Sequence, residues 1–229
     1  MGEEGQPGNV GAVVPSAPRA EPRWPMALAV FVAILLQVGT PSRGRVQGWW
    51  LFPVLEFVLL IVVIIRDPGR IDRRSRAARR STIVLISIMT FGTMAGVAVL
   101  IVDILKGVHG INATDLLGRG AAIWFTNIIV FSLWYWELDR GGPAERAAGA
   151  DVAPSFAFPE NATPELVPAG WTPMYPDYLF LAYTNATAFS PTDTLPVQTW
   201  AKMTMLVQSV LSLVTAILVI ARAINVLPG

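Results

Sequence analysis

Cysteine is absent from the 229 residues, and histidine occurs once, at His109. Without thiols there are no disulfides, no thiolate metal sites and no cysteine nucleophile. A single histidine in a glycine-rich turn cannot build a histidine pair or a histidine-rich metal centre. No acid–base constellation accompanies it, so enzyme is the weakest functional class, and no cofactor or metal is expected. Charge is scarce as well. Asp, Glu, Lys and Arg make up 14% of the chain, against roughly 25% for a soluble domain. The net charge of +1 gives no global attraction to nucleic acid. No internal repeat is visible.

What the chain has in quantity is apolar surface. Hydrophobic residues are 53% of it, and the mean hydropathy is +0.53. A membrane helix needs about 20 apolar residues. Five segments approach that length: 25–40, 49–65, 82–105, 121–136 and 200–227. Residues 1–24, rich in Gly, Pro, Ala and Glu, read as a disordered tail. The first apolar run lacks the leading basic region and the small-residue cleavage site of a signal peptide, so the tail is expected to remain. Pro25 suits a first helical turn, where its missing N–H costs nothing. Trp49 and Trp50, and later Trp134, Tyr135 and Trp136, mark membrane–water boundaries. Gly141-Gly142-Pro143 is a hard helix stop.

Orientation follows from arginine. Arg66, Arg70, Arg73, Arg74, Arg76, Arg79 and Arg80 crowd one loop, which the positive-inside rule places in the cytoplasm. Two crossings later, the segment 138–174 returns to the same side. It reads as a linker, and its aromatic residues Phe156, Phe158 and Trp171, with Tyr175 just after it, are expected to lie against the end of the bundle. Seven acids and two arginines between 137 and 177 look external, but acids carry little topological weight. Gly92 and Gly96 form a small-xxx-small pattern that permits close helix approach. Asp103 and Lys106 are spaced for an ion pair. Residues 107–119 read as a connector with Gly107, Gly110, Gly118 and Gly120, Leu116 being an alternative start for the fourth span. Three Asn-Ala-Thr triplets, at Asn112, Asn161 and Asn185, match a glycosylation pattern but read as chance.

The segment 175–196 breaks the pattern. Its aromatic run of about 12 residues is too short to span, and it stops at Ser190-Pro191-Thr192-Asp193. A half-helix, an irregular turn and then a full span is the order of a re-entrant loop, tolerated only where protein or water satisfies the broken backbone. The fold class is therefore all-α, a polytopic membrane helix bundle of five spans plus a re-entrant hairpin. Its parts are a tail (1–24), a four-span bundle (25–137), a linker (138–174) and a C-terminal hairpin with the last span (175–229).

Polar residues inside apolar segments are the candidate site. Glu56 costs several kcal/mol in a bilayer unless paired or hydrated. It reads either as a structural hydrogen-bonding group or as an ion or proton site. Asn127, Gln208, Ser209, Ser212 and Thr215 give the fourth and last spans a polar side, expected to face protein. Thr187, Ser190, Thr192 and Asp193 lie in or after the half-helix. Asp193 reads as a helix cap or as one carboxylate of a ring at a pore mouth, which requires a homo-oligomer. A polar path through Glu56, Asn127, Gln208 and Asp193 would favour transport; a dry bundle would favour a structural role.

The residues Trp124-Phe-Thr-Asn127, 134–143, Asp177-Tyr-Leu, 184–193 and Ala221-Arg-Ala-Ile-Asn225 resemble a bacterial family of membrane proteins of unknown function, the domain family numbered thirteen forty-five. The resemblance covers the C-terminal half by motif and the N-terminal half by span pattern. It implies an integral membrane protein and no activity. Residues 178–202 also resemble the pore helix, filter and inner-helix start of two-span potassium channels. Thr187, Asp193 and Pro196 match that pattern. Both filter glycines are replaced, by Ser190 and Thr192, and the central tyrosine by Pro191. Gly permits the conformations that turn carbonyls inward, and Pro does not. The resemblance thus implies a pore-like module for ions or small solutes without potassium selectivity. The competing expectation is a non-transporting structural or interaction protein. The partner in either case is the lipid bilayer of the plasma membrane.

Overall fold

The computed structural model describes residues 20–40, 48–71, 75–106, 113–168, 170–187 and 194–226. These residues are mostly helical, and three of their helices are long and apolar enough to cross a membrane. Among the described residues, eight α-helices follow in order: α1 (Trp24–Gly39), α2 (Leu51–Arg66), α3 (Arg76–Lys106), α4 (Ala113–Leu138), α5 (Pro143–Ala147), α6 (Pro159–Ala162), α7 (Tyr175–Thr187) and α8 (Thr199–Val226). The three long ones are α3, α4 and α8. At 1.5 Å per residue they run about 40–45 Å. The 16 residues of α1 and of α2 give each about 24 Å.

The hub is α4. Two thirds of its apolar window is buried, against a third or less for α3 and α8. From Thr126 to Asp139 only Trp134 and Leu138 escape full burial. A helix apolar on all sides must be enclosed on all sides. Here α1, α3, α7 and α8 pack round α4, while α2 packs outside against α1 and α3. The outer helices keep an exposed apolar face: Leu28, Leu35 and Val38 on α1, Val54, Val58 and Ile65 on α2, Leu206, Val210, Leu213 and Ile217 on α8.

Two short antiparallel ladders tie the ends of helices together. β1 (Glu21–Pro22) pairs with β2 (Arg70–Ile71), and β3 (Phe156–Ala157) with β4 (Leu195–Pro196). Both sit at the end of the bundle where α1, α3, α7 and α8 begin and α2 and α4 finish. The arginine-rich loop and the acidic segment therefore share one end, as the crossing pattern predicts.

Three sequence expectations change. The tail ends before Trp24: Glu21 and Arg23 are buried, because both side chains meet partners from distant segments. The connector before the fourth span is shorter than 107–119, since α4 begins at Ala113. Gly120 is consequently a helix residue. A Cβ there would lie 2.5 Å from Val219 Cγ2 of α8, so this glycine, not Gly92 or Gly96, is the one a close helix crossing requires. Finally, Asp103 pairs across helices with Arg119, at 3.4 Å, because α4 brings a buried guanidinium beside it.

The acidic segment is a packed cap. Phe156 is fully buried and meets the rings of Tyr135, Tyr178 and Trp200; Phe158 meets Trp171 and Tyr178. Edge-to-face aromatic pairs add to area burial, which explains why a stretch rich in Pro and Ala carries aromatics at all. The turn out of α4 needs left-handed backbone at Arg140, Gly141 and Gly142, with φ of 50°, 79° and 98°. Pro143 then opens α5.

Candidate functional site

Two polar clusters lie inside the molecule, and they differ in kind. The first is neutral and sits between α4, α7 and α8. Gln208 is fully buried. Its Oε1 accepts from Tyr135 Oη at 2.6 Å and from Asn185 Nδ2 at 2.7 Å, and its Nε2 donates to the carbonyl of Ala182 at 2.8 Å. Asn185 also donates to the Met205 carbonyl at 3.0 Å and accepts from Ser209 Oγ at 3.0 Å. One level further along, Asn127 donates to Ser212 Oγ at 2.8 Å. The polar side predicted for the last span does face protein: Gln208, Ser212 and Thr215 are buried.

The other predicted residues lie apart from this cluster. Glu56 is fully buried on α2 and accepts from Gln37 Nε2 of α1 at 2.7 Å; its second oxygen, Oε1, has no partner among the described residues. Thr187 donates to the Thr184 carbonyl of its own helix at 2.9 Å. Ser190, Thr192 and Asp193 lie outside the described residues. The structure thus brings Gln208 together with Asn185 and Tyr135, and leaves Glu56, Asn127 and Thr187 each with a separate partner.

The second cluster is charged and sits at the arginine-rich end. Glu21 accepts from Trp136 Nε1 at 2.9 Å and from the backbone N–H of Tyr175, and Arg146 Nη2 lies 3.6 Å away. Arg146 Nη1 donates to the carbonyls of Trp136 and Asp139, at 2.8 and 2.9 Å, and its guanidinium stacks over Tyr178. Asp139 is fully buried. It accepts from the Ser155 N–H and from Tyr178 Oη, each at 2.6 Å. Arg23 pairs with Asp67, and Arg79 Nε lies 3.3 Å from Glu137. Burial raises the Glu21 carboxyl above its ordinary range, opposed chiefly by Arg146.

Sequence reasoning missed Glu21, Arg23, Asp67, Asp139 and Arg146. Glu21 meets Trp136 across 115 positions and Tyr175 across 154, and no local period signals such contacts. One signal was present. The stretch 134–140, within the segment that carries the family resemblance, has a polar side-chain group at every position but Leu138. Trp134 donates to Thr90 Oγ1, Tyr135 to Gln208, Trp136 to Glu21, and Glu137 and Asp139 accept. No protein-family model, curated protein or solved structure matches the chain.

Proposed function

We propose that this is an integral membrane protein of five spans, α1, α2, α3, α4 and α8. Its arginine-rich end lies in the cytoplasm, residues 175–196 form a re-entrant hairpin, and its membrane part is a dry scaffold for that charged end. Membership of the bacterial family resembled by residues 134–143 goes with this reading. The exposed apolar faces of α1 and α2 support counting both as spans, since such faces are stable against lipid. Their length, some 6 Å short of the hydrocarbon core, calls for local thinning of the bilayer.

The observation that carries the scaffold reading is the saturation of Gln208. Its amide spends both oxygen and nitrogen on protein. A group that strips water from a passing ion must have its ligating atoms turned to the path. Gln208 and Asn185 instead fasten the half-helix α7 to α8 and α4. A second reading has one observation in its favour. Helix α7 enters the bundle from the same end to which the chain returns at β4, the arrangement of a pore helix. On that reading the C-terminal module passes ions or small solutes, is not potassium-selective, and works as a homo-oligomer.

Flux decides between them. Protein reconstituted into vesicles is expected to leave the permeability to potassium, sodium, chloride and protons at the level of empty vesicles. A protein-dependent flux abolished by Glu56→Gln would replace the scaffold with a transporter. Because the chain has no cysteine, single cysteines report sidedness directly. Ser75→Cys and Ala148→Cys should resist an impermeant outside reagent while Thr114→Cys reacts, and the opposite pattern would invert the topology.

A further inference from the structure

We infer that the outer face of α2 and α3 holds an anionic phospholipid, its headgroup on Arg66, Arg76 and Arg80 and its acyl chains on the apolar surface below them. The inference rests on α2 and α3 as spans. It does not depend on whether the hairpin conducts.

The cations come first. Helix α3 opens with Arg76, Arg79 and Arg80 and has no acid in its first turn. Arg79 faces Glu137. Arg76 and Arg80 are exposed and form no ion pair among the described residues. Arg66, the last residue of α2, is also exposed and adds a third such charge. Its Nη1 donates to Ser81 Oγ at 2.8 Å and to the Ala77 carbonyl at 3.4 Å. The guanidinium is thereby tied to the same turns of α3 that carry Arg76 and Arg80. Cations gathered on adjoining turns repel one another, and an anion among them relieves that repulsion.

The helix period decides what lies beneath. Positions three and four apart share a face, so the face that begins at Arg76 and Arg80 continues through Val84, Phe91, Met94 and Val102. Each of these four is at least 43% exposed. Helix α2 packs against α3 and carries its own exposed Val58 and Ile65 up to Arg66. Cations at the top of a continuous apolar face match the two halves of a phospholipid. A soluble anion would meet the arginines and leave the apolar face uncovered. A zwitterionic headgroup would bring its own ammonium against three cations, so the net-negative headgroup is the one that fits. Basic side chains beside a membrane helix attract anionic lipid for this reason.

The test is lipid selectivity. The full chain in uncharged detergent, at fixed ionic strength, is titrated with short-chain phosphatidylglycerol or with phosphatidylcholine of the same chain length in mixed micelles. Bound lipid is counted by native mass spectrometry. Saturable binding of phosphatidylglycerol is expected, roughly tenfold or more tighter than that of phosphatidylcholine. Arg80→Gln should weaken it roughly fivefold, the attraction of one arginine near a membrane surface. Lys202→Gln removes an exposed cation at the same end of the bundle but on α8, and should leave the affinity unchanged. Both variants replace exposed side chains, so the packed interior is kept. Equal binding of the two lipids, equal weakening by the two variants, or displacement of the lipid by inorganic phosphate at the same ionic strength overturns the site. Selectivity is read without flux or sidedness, so its failure is distinct from a failure of the scaffold reading.

Discussion

The neutral cluster between α4, α7 and α8 and the charged cluster at the arginine-rich end perform the same task with different groups. Both fasten segments far apart in sequence. The neutral one uses amides and hydroxyls that share partners among α4, α7 and α8, Gln208 Oε1 accepting from both Tyr135 and Asn185. The charged one uses carboxylates, of which Glu21 and Asp139 each gather two or more donors, and an arginine that spans two carbonyls and a carboxylate. Depth explains the difference. Deep in the bundle a charge has no water to lean on, and neutral hydrogen bonds between membrane helices are worth only about 0.6 kcal/mol on average. At the end, several donors share the cost of each buried charge, and losing one member leaves the others exposed to that cost. Glu56 is the exception, a carboxyl in the apolar region with one amide donor and one unpaired oxygen.

The comparison can be broken most forcefully at Arg146. Arg146→Met should destabilise the protein by about 3–5 kcal/mol, the cost of orphaning a buried charge, read from unfolding in mild detergent. Adding Glu21→Gln should recover part of that loss, because the orphaned carboxylate is then gone. A cost below about 1 kcal/mol, with no recovery, would show that the knot is not what holds the end together.

The far end of the bundle relies on neither cluster. There α4 meets α8 through small and aliphatic residues, Gly120 against Val219 and Leu116 near Ala223. Gly120→Leu should cost about 1–3 kcal/mol by overpacking, and Val219→Ala in the same chain should return much of it. Equal stability of Gly120→Leu and the parent would mean that the helices are free to separate.

Within the neutral cluster, Gln208→Leu leaves Tyr135 and Asn185 without their shared acceptor, an expected loss of about 1–3 kcal/mol. Asn127→Ala breaks a single pair and should cost nearer 0.6 kcal/mol. Reversal of that order would mean that the two sites do not differ in connectivity. The smallest effect is the pH dependence contributed by Glu21. Its carboxyl is raised above 4.5 in the folded protein, so the folded state holds that proton more firmly than the unfolded chain does. Its contribution is full below about 4.5 and declines as pH rises through the folded-state value. Stability relative to Glu21→Gln should therefore fall on going from acid toward neutral pH. A flat difference would show that the donors of the knot cancel the effect of burial.

Much of this was readable in the chain alone. Long apolar runs can only be helices in lipid, since each backbone group must find its partner within the segment. That constraint is local, so composition fixed the helical class and the three long apolar helices. Gly-Gly-Pro placed the stop after α4. Tyr175–Thr187 was legible as a short helix because its aromatic run was too brief to span. Its anchorage was not, because Asn185 and Gln208 were two polar residues 23 positions apart, with nothing between them to signal contact.

Tertiary structure alone decided three things. It decided which rings the acidic segment's aromatics meet, beyond the expectation that they lie against the end of the bundle. It recruited Glu21 and Arg23 from an expected tail, because a buried carboxylate and guanidinium need partners that other helices bring. And it made Gly120 indispensable, since what a missing Cβ permits depends on the helix that crosses it. Hydropathy is a property of each segment and survives in the sequence; pairing is a property of distance, and distance exists only in the fold.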